Sequence, residues 1–199
     1  MTMPSKYMNC YILAGGKSSR MGEEKGLIKI HNKFIIEYVV DELKPLFKKL
    51  IIISNNDDYS KLGLEVIPDL IKDIGPAGGI YTALRHSDTV NNFIVSCDMP
   101  FITSKAAEFI IARSDSYQIT VPIHQGKFEP LFALYSSSCL DQWKEELDKG
   151  VFKLQNIMTK FNTLELNVDD NAIFNEDLFI NINTKEDLEK AKEKLNHGN

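Results

Sequence analysis

Apolar runs of strand length alternate with amphipathic helical segments along most of this chain, and this alternation constrains the possible folds more than any other feature of the sequence. The hydrophobic patterns predict strands at 9–14, 50–53, 64–67, 93–97, 119–121, 131–135, 163–166 and 178–182. They predict helices at 33–44, 77–86, 104–113, 139–147, 152–160 and 185–195, the last with Thr184 and Asp187 as a near capping box. This order predicts an α/β fold with a mostly parallel sheet and helices on both faces.

Length and composition exclude several classes of protein. The 199 residues suit a single domain over 1–199, and an apolar content of 43% is enough for one continuous core. No apolar run approaches the roughly 18 residues of a membrane span and the first residues lack the apolar segment of a signal peptide, so we expect a cytoplasmic protein with no membrane partner. The net charge of −5 argues against nucleic acid as a partner. Three widely spaced cysteines disfavour a disulfide framework, and we expect reduced core residues.

The loop after the first predicted strand combines glycines with cations. Glycine has no Cβ and accepts a positive φ, so backbone N–H groups can close on phosphate oxygens while nearby cations neutralise charge. The residues that supply these properties are Gly15, Gly16, Gly22, Lys17, Arg20 and Lys25. The loop is not a P-loop, because five residues separate Gly16 from Gly22 and Glu23 follows. It therefore indicates a triphosphate cradle, and a mobile surface loop with solvated cations is the alternative.

Three further loops leave predicted strands with unusual chemistry. Asp98 directly follows an apolar run, which suits a magnesium ligand because Mg²⁺ needs only one or two carboxylates besides phosphates and water. The alternative is an Asp-x-Pro turn that caps the helix beginning near Ser104. Ligands of parallel sheets bind beyond the carboxyl ends of the strands. We therefore expect the glycine loop and the loops 54–56, 69–79 and 98–101 to converge.

The loops 54–56 and 69–79 suit recognition of a nucleoside. The run Gly-Pro-Ala-Gly-Gly at 75–79 leaves backbone bare for the edge of a base, and Gly78 is the candidate contact. Asn55 and Asp69 have side chains that can orient a base or a ribose. The alternatives are a loop that starts a helix, with glycine for tight packing, and ordinary Asn and Asp turns.

The motifs LAGGKSSRMGEEKGLI, GPAGGI and VSCDMPF, in this order, resemble those of the molybdenum cofactor guanylyltransferase family, within the nucleotidyltransferases of Rossmann-like fold. The resemblance continues in EPLFALY and FININT and so covers nearly the whole chain. It implies a three-layer α/β nucleotidyltransferase domain.

The resemblance also implies roles for individual residues. The guanine nucleotide would contact Leu13, Ala14 and Gly15. Lys25 would bind its phosphates, Asn55 and Asp69 would help to hold base and ribose, and Asp98 would bind magnesium. Asn181 and Asn183 match the late asparagine motif of the family, near the active site.

The implied reaction is attack by the terminal phosphate of molybdopterin, or Mo-molybdopterin, on the α-phosphorus of Mg-GTP. The products are a guanine dinucleotide cofactor and pyrophosphate, with Mg²⁺, Lys25 and Arg20 neutralising charge. The implied protein partners are those of molybdopterin synthesis and molybdoenzyme maturation. Ala77 stands where the family often has leucine, which leaves base choice open. Alternatives are transfer from CTP to molybdopterin, transfer to a sugar or cobinamide phosphate, and a non-catalytic nucleotide-binding protein.

Overall fold

The computed structural model describes residues 5–15 and 24–196. In this part of the chain the strands are β1 Asn9–Leu13, β2 Lys29–Ile30, β3 Lys33–Phe34, β4 Lys49–Ile53, β5 Glu65–Ile67, β6 Asn91–Ser96, β7 Ile119–His124, β8 Lys127–Phe128, β9 Phe132–Ser136 and β10 Thr163–Asn167. The α-helices are α1 Ile35–Leu43, α2 Pro76–His86, α3 Ser104–Ile111, α4 Leu140–Asp148, α5 Leu154–Met158 and α6 Lys185–Asn196. Within these ranges no helix has the length and apolarity that a membrane crossing requires.

The main sheet has the strand order β10-β7-β9-β6-β1-β4-β5, with β8 paired to β7 outside this path. β9 runs antiparallel to β6 and to β7, whereas β1 pairs parallel with β4 and β6, β4 with β5, and β10 with β7. The mostly parallel sheet predicted from the sequence is thus confirmed. Its parallel strands all end at one edge, called here the carboxyl edge.

Apolar side chains cover both faces of the sheet. On the central strand β1, Cys10 and Ile12 pack on one face with α1 and α3, and Tyr11 and Leu13 pack on the other face with α2 and α4. A strand buried on both faces shows the continuous apolar run that predicted it. All three cysteines are free and buried, as expected, and burial raises the pKa of the Cys10 thiol.

The predicted strand at 178–182 is wrong. Leu178 and Ile182 are fully buried, which accounts for the apolar run, but their backbones do not join the sheet. Instead the Leu178 N–H bonds to the Asn175 carbonyl in a turn, and the Ile182 N–H bonds to the Asp98 carbonyl at 3.0 Å. Hydrophobicity predicts burial of side chains, whereas the ladder depends on backbone partners that it does not reveal.

The final helix begins as predicted. The Asp187 N–H bonds to Thr184 Oγ1 at 3.1 Å and the Thr184 N–H bonds to the Asp187 carboxylate at 2.9 Å, so the capping box is formed. Two other helices are shorter than predicted. The helix predicted from residue 33 begins at Ile35 because Lys33 and Phe34 pair with β2, and the one predicted at 152–160 spans only Leu154–Met158.

Gly78→Ala should destabilise the protein through the first turn of α2. A Cβ at Gly78 would lie 2.7 Å from the Ile71 carbonyl oxygen and 2.8 Å from Ile74 Cγ1. Overpacking costs about 1–3 kcal/mol, which exceeds the gain of about 1 kcal/mol from replacing glycine in a helix. The measurement is the free energy of unfolding in urea. The control is Gly79→Ala, whose Cβ would meet only the flexible end of Leu13 at 3.1 Å. Equal or greater stability of Gly78→Ala would contradict this packing.

Candidate functional site

A pocket of about 780 Å³ opens at the carboxyl edge between the ends of β1, β4, β5 and β6. Its lining includes Leu13, Gly15, Asn55, Asp69, Gly75 and Ser96. These residues come from the ends of β1 and β6 and from the loops that follow β1, β4 and β5, so Gly15 and the loops 54–56 and 69–79 converge as predicted. The loop 98–101 is not part of the lining, and residues 16–23 lie outside the described residues. This volume is within the range of small-molecule sites, which is about 300–1,000 Å³.

Backbone hydrogen bonds continue past the strand ends and hold these loops in register. The Ala14 N–H bonds to the Ile53 carbonyl at 2.9 Å, and the Ser54 N–H bonds to the Ile67 carbonyl at 3.0 Å. The Ala14 side chain is buried in the core with 1% exposure. Ala14 therefore fixes the start of the loop, and it does not line the pocket, so its contact with a nucleotide stays a prediction.

Gly15, Asn55 and Asp69 form one polar corner of the pocket. Asn55 Nδ2 donates to Asp69 Oδ2 at 3.3 Å, and a Cβ on Gly15 would lie 3.3 Å from the same oxygen. Burial raises the pKa of the Asp69 carboxyl, opposed by the hydrogen bond from Asn55. Thr82 Oγ1 accepts from the adjacent Leu70 N–H at 3.0 Å and so ties the loop to α2. This corner offers hydrogen-bonding groups to a ribose or a base.

Gly78 does not line the pocket, contrary to the placement expected from the sequence. Its N–H bonds to the Gly75 carbonyl, and its carbonyl accepts from Thr82 Oγ1. The space that a side chain would need is filled by Ile71 and Ile74. Tight packing at a helix start thus explains this glycine, while Gly75 and Gly79 face the pocket.

Asp98 lies at the end of β6 with both carboxylate oxygens engaged. Ser96 Oγ donates to Oδ1 at 2.6 Å and Lys25 Nζ donates to Oδ2 at 3.3 Å. Lys25 Nζ also donates to Asn183 Oδ1, so the predicted residues Lys25, Asp98 and Asn183 meet. Asn181 instead donates to the Phe179 carbonyl at 3.1 Å within its own segment. The alternative role for Asp98 as a helix cap is wrong, because Thr103 caps α3 by accepting from the Ala106 N–H.

The position of Lys25 is fixed by packing beneath it. Lys25–Leu27 form a short 3₁₀-helix, and a Cβ on Gly26 would lie 2.7 Å from the Tyr59 hydroxyl and 3.2 Å from Cys97 Sγ. Only glycine allows this approach, so the Lys25 backbone is held against the residue that precedes Asp98. Tyr59 was not singled out from the sequence, and no local pattern marks it.

The donor set at Asp98 fits a magnesium ion that is held mainly by its substrate. Within residues 5–15 and 24–196 no group of three or more His, Cys, Asp or Glu side chains forms a metal cage. Mg²⁺ does not need one, since one or two carboxylates with phosphates and water suffice. Asp98 is only 8% exposed, and its carboxylate already pairs with a cation, the Lys25 ammonium. Gly16, Lys17, Arg20 and Gly22 lie outside the described residues.

Residues 10–162 match a family model described as a MobA-like NTP transferase domain. The chain belongs to this family. A relative from Flavobacterium johnsoniae, named probable molybdenum cofactor guanylyltransferase, is 36% identical over 182 residues, which are 91% of this chain and 94% of the relative. A relative of the same name from Natranaerobius thermophilus is 36% identical over 197 residues, 94% of this chain and 96% of its own.

A crystal structure of molybdopterin-guanine dinucleotide biosynthesis protein A from Archaeoglobus fulgidus superposes with a TM-score of 0.82. Its sequence is 28% identical, and the match covers 96% of this chain and 100% of that one. The resemblance and the nucleotidyltransferase fold predicted from the motifs are therefore confirmed, and family membership makes this chain a nucleotidyltransferase.

Glu129 is a second residue that the motifs did not mark as part of a site. It lies between β8 and β9, next to the turn that carries Leu131 into the pocket wall. Burial raises the pKa of its carboxyl to about 7, opposed by the ammonium of Lys127. The motif EPLFALY contains Glu129, but nothing in this motif distinguishes a buried carboxylate from a solvated one.

Replacing Glu129 by glutamine should change how stability depends on pH. The folded-state pKa, about 7, lies above the ordinary 4.5. Below pH 4.5 the carboxyl is neutral in the folded and unfolded states and costs no stability. As the pH rises from 4.5 to about 7, the unfolded state ionises more readily than the folded state, so the stability of the wild type falls. Relative to wild type, Glu129→Gln should gain stability between pH 4.5 and 8. The expected gain is on the order of 2 kcal/mol, because solvent screening of a half-buried group reduces the full linkage value. Urea unfolding across this range measures the difference. The exposed Glu165→Gln is the control. A pH-independent difference for Glu129→Gln would contradict the assignment.

Proposed function

We propose that this protein is a magnesium-dependent guanylyltransferase that transfers GMP from GTP to the terminal phosphate of molybdopterin and releases pyrophosphate. The observation that carries the proposal is the meeting of Lys25, Asp98 and Asn183 beside a pocket of about 780 Å³. A cation, a metal-binding carboxylate and a nucleoside-sized cavity are what nucleotidyl transfer requires. The names of the curated relatives supply the substrate pair.

The nucleoside would occupy the pocket, with its phosphates directed towards Lys25 and Asp98. Asn55 and Asp69 face the pocket from the ends of neighbouring strands and would hold the ribose or the base. Ala77, which left base choice open, is fully buried, and its carbonyl accepts from the Trp143 indole N–H at 3.0 Å. Its side chain therefore packs in the core, and the substitution supplies no argument for a base other than guanine.

The chemistry needs charge neutralisation and positioning rather than a general base. A phosphate monoester has a second pKa of about 6 and is largely dianionic at neutral pH, so it attacks without proton removal. Asp98 would hold the magnesium ion, which when bound supplies positive charge to the phosphates. Lys25 would leave Asp98 for the phosphates, and Asn183 would orient its ammonium group. Arg20 is proposed to add a further positive charge at the phosphates.

Guanine selectivity is tested by thermal stabilisation. A ligand that binds only the folded state raises the melting temperature, and at a concentration of about 100 Kd it contributes about 2.7 kcal/mol. With Mg²⁺ present, GTP should raise the melting temperature more than ATP, CTP or UTP at equal concentration. The same ranking is expected for pyrophosphate release with molybdopterin as acceptor. Equal shifts for the four nucleotides would remove guanine selectivity, and a larger effect of CTP would favour cytidylyl transfer.

Lys25→Ala and Asp98→Asn should fail in different ways. Lys25→Ala removes a preorganised charge, and such a loss costs about 3 kcal/mol, or roughly a hundredfold in kcat. Its magnesium dependence should match wild type. Asp98→Asn keeps the size of the side chain but weakens the metal site, so activity should be lost at ordinary magnesium and return in part at high Mg²⁺ or with Mn²⁺. Pyrophosphate release across a magnesium titration measures both effects.

The matched controls are Lys61→Ala and Asp58→Asn, which break an exposed lysine–aspartate ion pair outside the site. Both controls should retain wild-type activity. Melting temperatures of all four variants show whether the fold persists. Full activity of folded Asp98→Asn at ordinary magnesium would remove Asp98 as the metal ligand and leave it as a turn residue.

A further inference from the structure

Glu129 is held by its backbone on both sides. Its N–H bonds to the Pro122 carbonyl at 3.0 Å, and its carbonyl accepts from the Phe132 N–H at 3.0 Å across a turn with Pro130 in second position. The Tyr135 hydroxyl donates to the Pro130 carbonyl at 2.8 Å and fixes the turn from the core. Proline favours this turn position because its φ is already set. The backbone at Glu129 is therefore held in one position, which limits where the Glu129 side chain can lie.

The Glu129 carboxylate lacks a partner in the part of the chain that the structure describes. It is half-buried, yet among the described residues it has neither a hydrogen bond nor a salt bridge. The cation that influences it is Lys127, which is exposed. Partial burial of a carboxylate without a hydrogen-bond donor is unfavourable. A rigidly placed group of this kind suits a ligand that brings donors of its own.

The sheet places Glu129 on the opposite side of Asp98 from the nucleoside corner. Asp98 follows β6, the strands β1, β4 and β5 that carry Asn55 and Asp69 lie on one side of β6, and β9 and β7 lie on the other. Ser96 at the end of β6 bonds through its N–H to the Leu131 carbonyl at 3.0 Å, so the turn of Glu129 lies directly beside the end of β6. A ligand at Glu129 would therefore approach Asp98 from the side away from the pocket corner.

Glu129 also shares a face with the segment that carries Asn183. In the register of the β7–β8 hairpin, Glu129 lies opposite Pro122. Directly opposed residues in antiparallel strands place their side chains on the same face of the sheet. That face includes His124, whose ring lies 5.3 Å from the ring of Phe179. The chain then runs from Phe179 to Asn183, which binds Lys25. Glu129 therefore lies on the sheet face that Phe179 covers, and the chain leads from Phe179 to the contact between Asn183 and Lys25.

The geometry of nucleotidyl transfer indicates which substrate would bind beside Glu129. The attacking and leaving oxygens lie roughly in line on opposite sides of the reacting phosphorus, so acceptor and pyrophosphate approach from different directions. A pterin carries a ring N–H beside a 2-amino group, and two parallel donors match the two oxygens of a carboxylate.

We propose that Glu129 binds the N–H and 2-amino donors of the acceptor's pterin ring and so selects pterin phosphates over other phosphate monoesters. This assignment rests on the proposed transfer to molybdopterin. Glu129 is a specificity residue in this account and takes no part in the reaction at phosphorus.

The test compares Glu129→Gln and Glu129→Ala with the exposed control Glu165→Gln, using Mg-GTP and molybdopterin. Both Glu129 variants should raise the KM for molybdopterin at least tenfold, with the KM for GTP and the kcat within about twofold of wild type. The ring-only compound 6-hydroxymethylpterin should bind wild type, observed by its fluorescence, and bind the Glu129 variants at least tenfold more weakly. Melting temperatures show that the variants are folded.

An unchanged KM for molybdopterin in folded Glu129→Ala would overturn the proposal, as would a rise in the KM for GTP alone, which would assign Glu129 to the nucleotide. Absence of 6-hydroxymethylpterin binding to wild type would also overturn it. If wild type binds the ring compound but transfers no GMP to molybdopterin, the proposed function fails while the ring site stands. If wild type transfers GMP and Glu129→Ala does so equally well, only the present inference fails.

Discussion

The hydrogen bond from the Ile182 N–H to the Asp98 carbonyl connects the two parts of the chain on which the site depends. Asp98 follows the central strand β6, whereas Ile182 belongs to a segment that follows the last strand and has no place in the sheet. The bond brings Asn183 within reach of Lys25, which itself bonds to Asp98. Packing of Ile182 with Ile28 and Ile30 supports the same placement, which joins residues up to 158 positions apart in sequence.

The ion pair between Lys25 and Asp98 neutralises both charges while no substrate is bound. Their side chains are 25% and 11% exposed, so the charges are partly withdrawn from water. Two unit charges about 4 Å apart interact with about 4 kcal/mol at a surface-like effective dielectric of 20, before desolvation is counted. Under the proposed function, Mg-GTP supplies both a cation for Asp98 and anions for Lys25. Binding of the metal nucleotide would therefore give Asp98 and Lys25 new partners at the same time.

The sequence predicts the parts of this molecule that depend on local patterns. Apolar runs located the parallel strands, and polar residues directly after those runs located Asn55, Asp69 and Asp98 at one edge. The failures share a physical cause. The run 178–182 is buried, but the Ile182 N–H bonds to the Asp98 carbonyl outside the sheet. Gly78 is required by the nearby Ile71 carbonyl rather than by a pocket, and Glu129 is half-buried in a loop that bonds to the distant Pro122 carbonyl. Each depends on tertiary contacts, which periodicity and composition do not encode.

The central claim is that the carboxyl edge binds a metal nucleotide with Asp98 as the metal ligand and the nucleoside over the ends of β4 and β5. Its most direct test is a crystal structure with Mn²⁺ and a non-hydrolysable GTP analogue, in which anomalous scattering locates the metal. The account predicts an anomalous peak within about 2.2 Å of an Asp98 carboxylate oxygen, Lys25 on the phosphates, and guanosine against Asn55 and Asp69. A peak elsewhere, or a nucleotide bound with Lys25 still paired to Asp98, would contradict it.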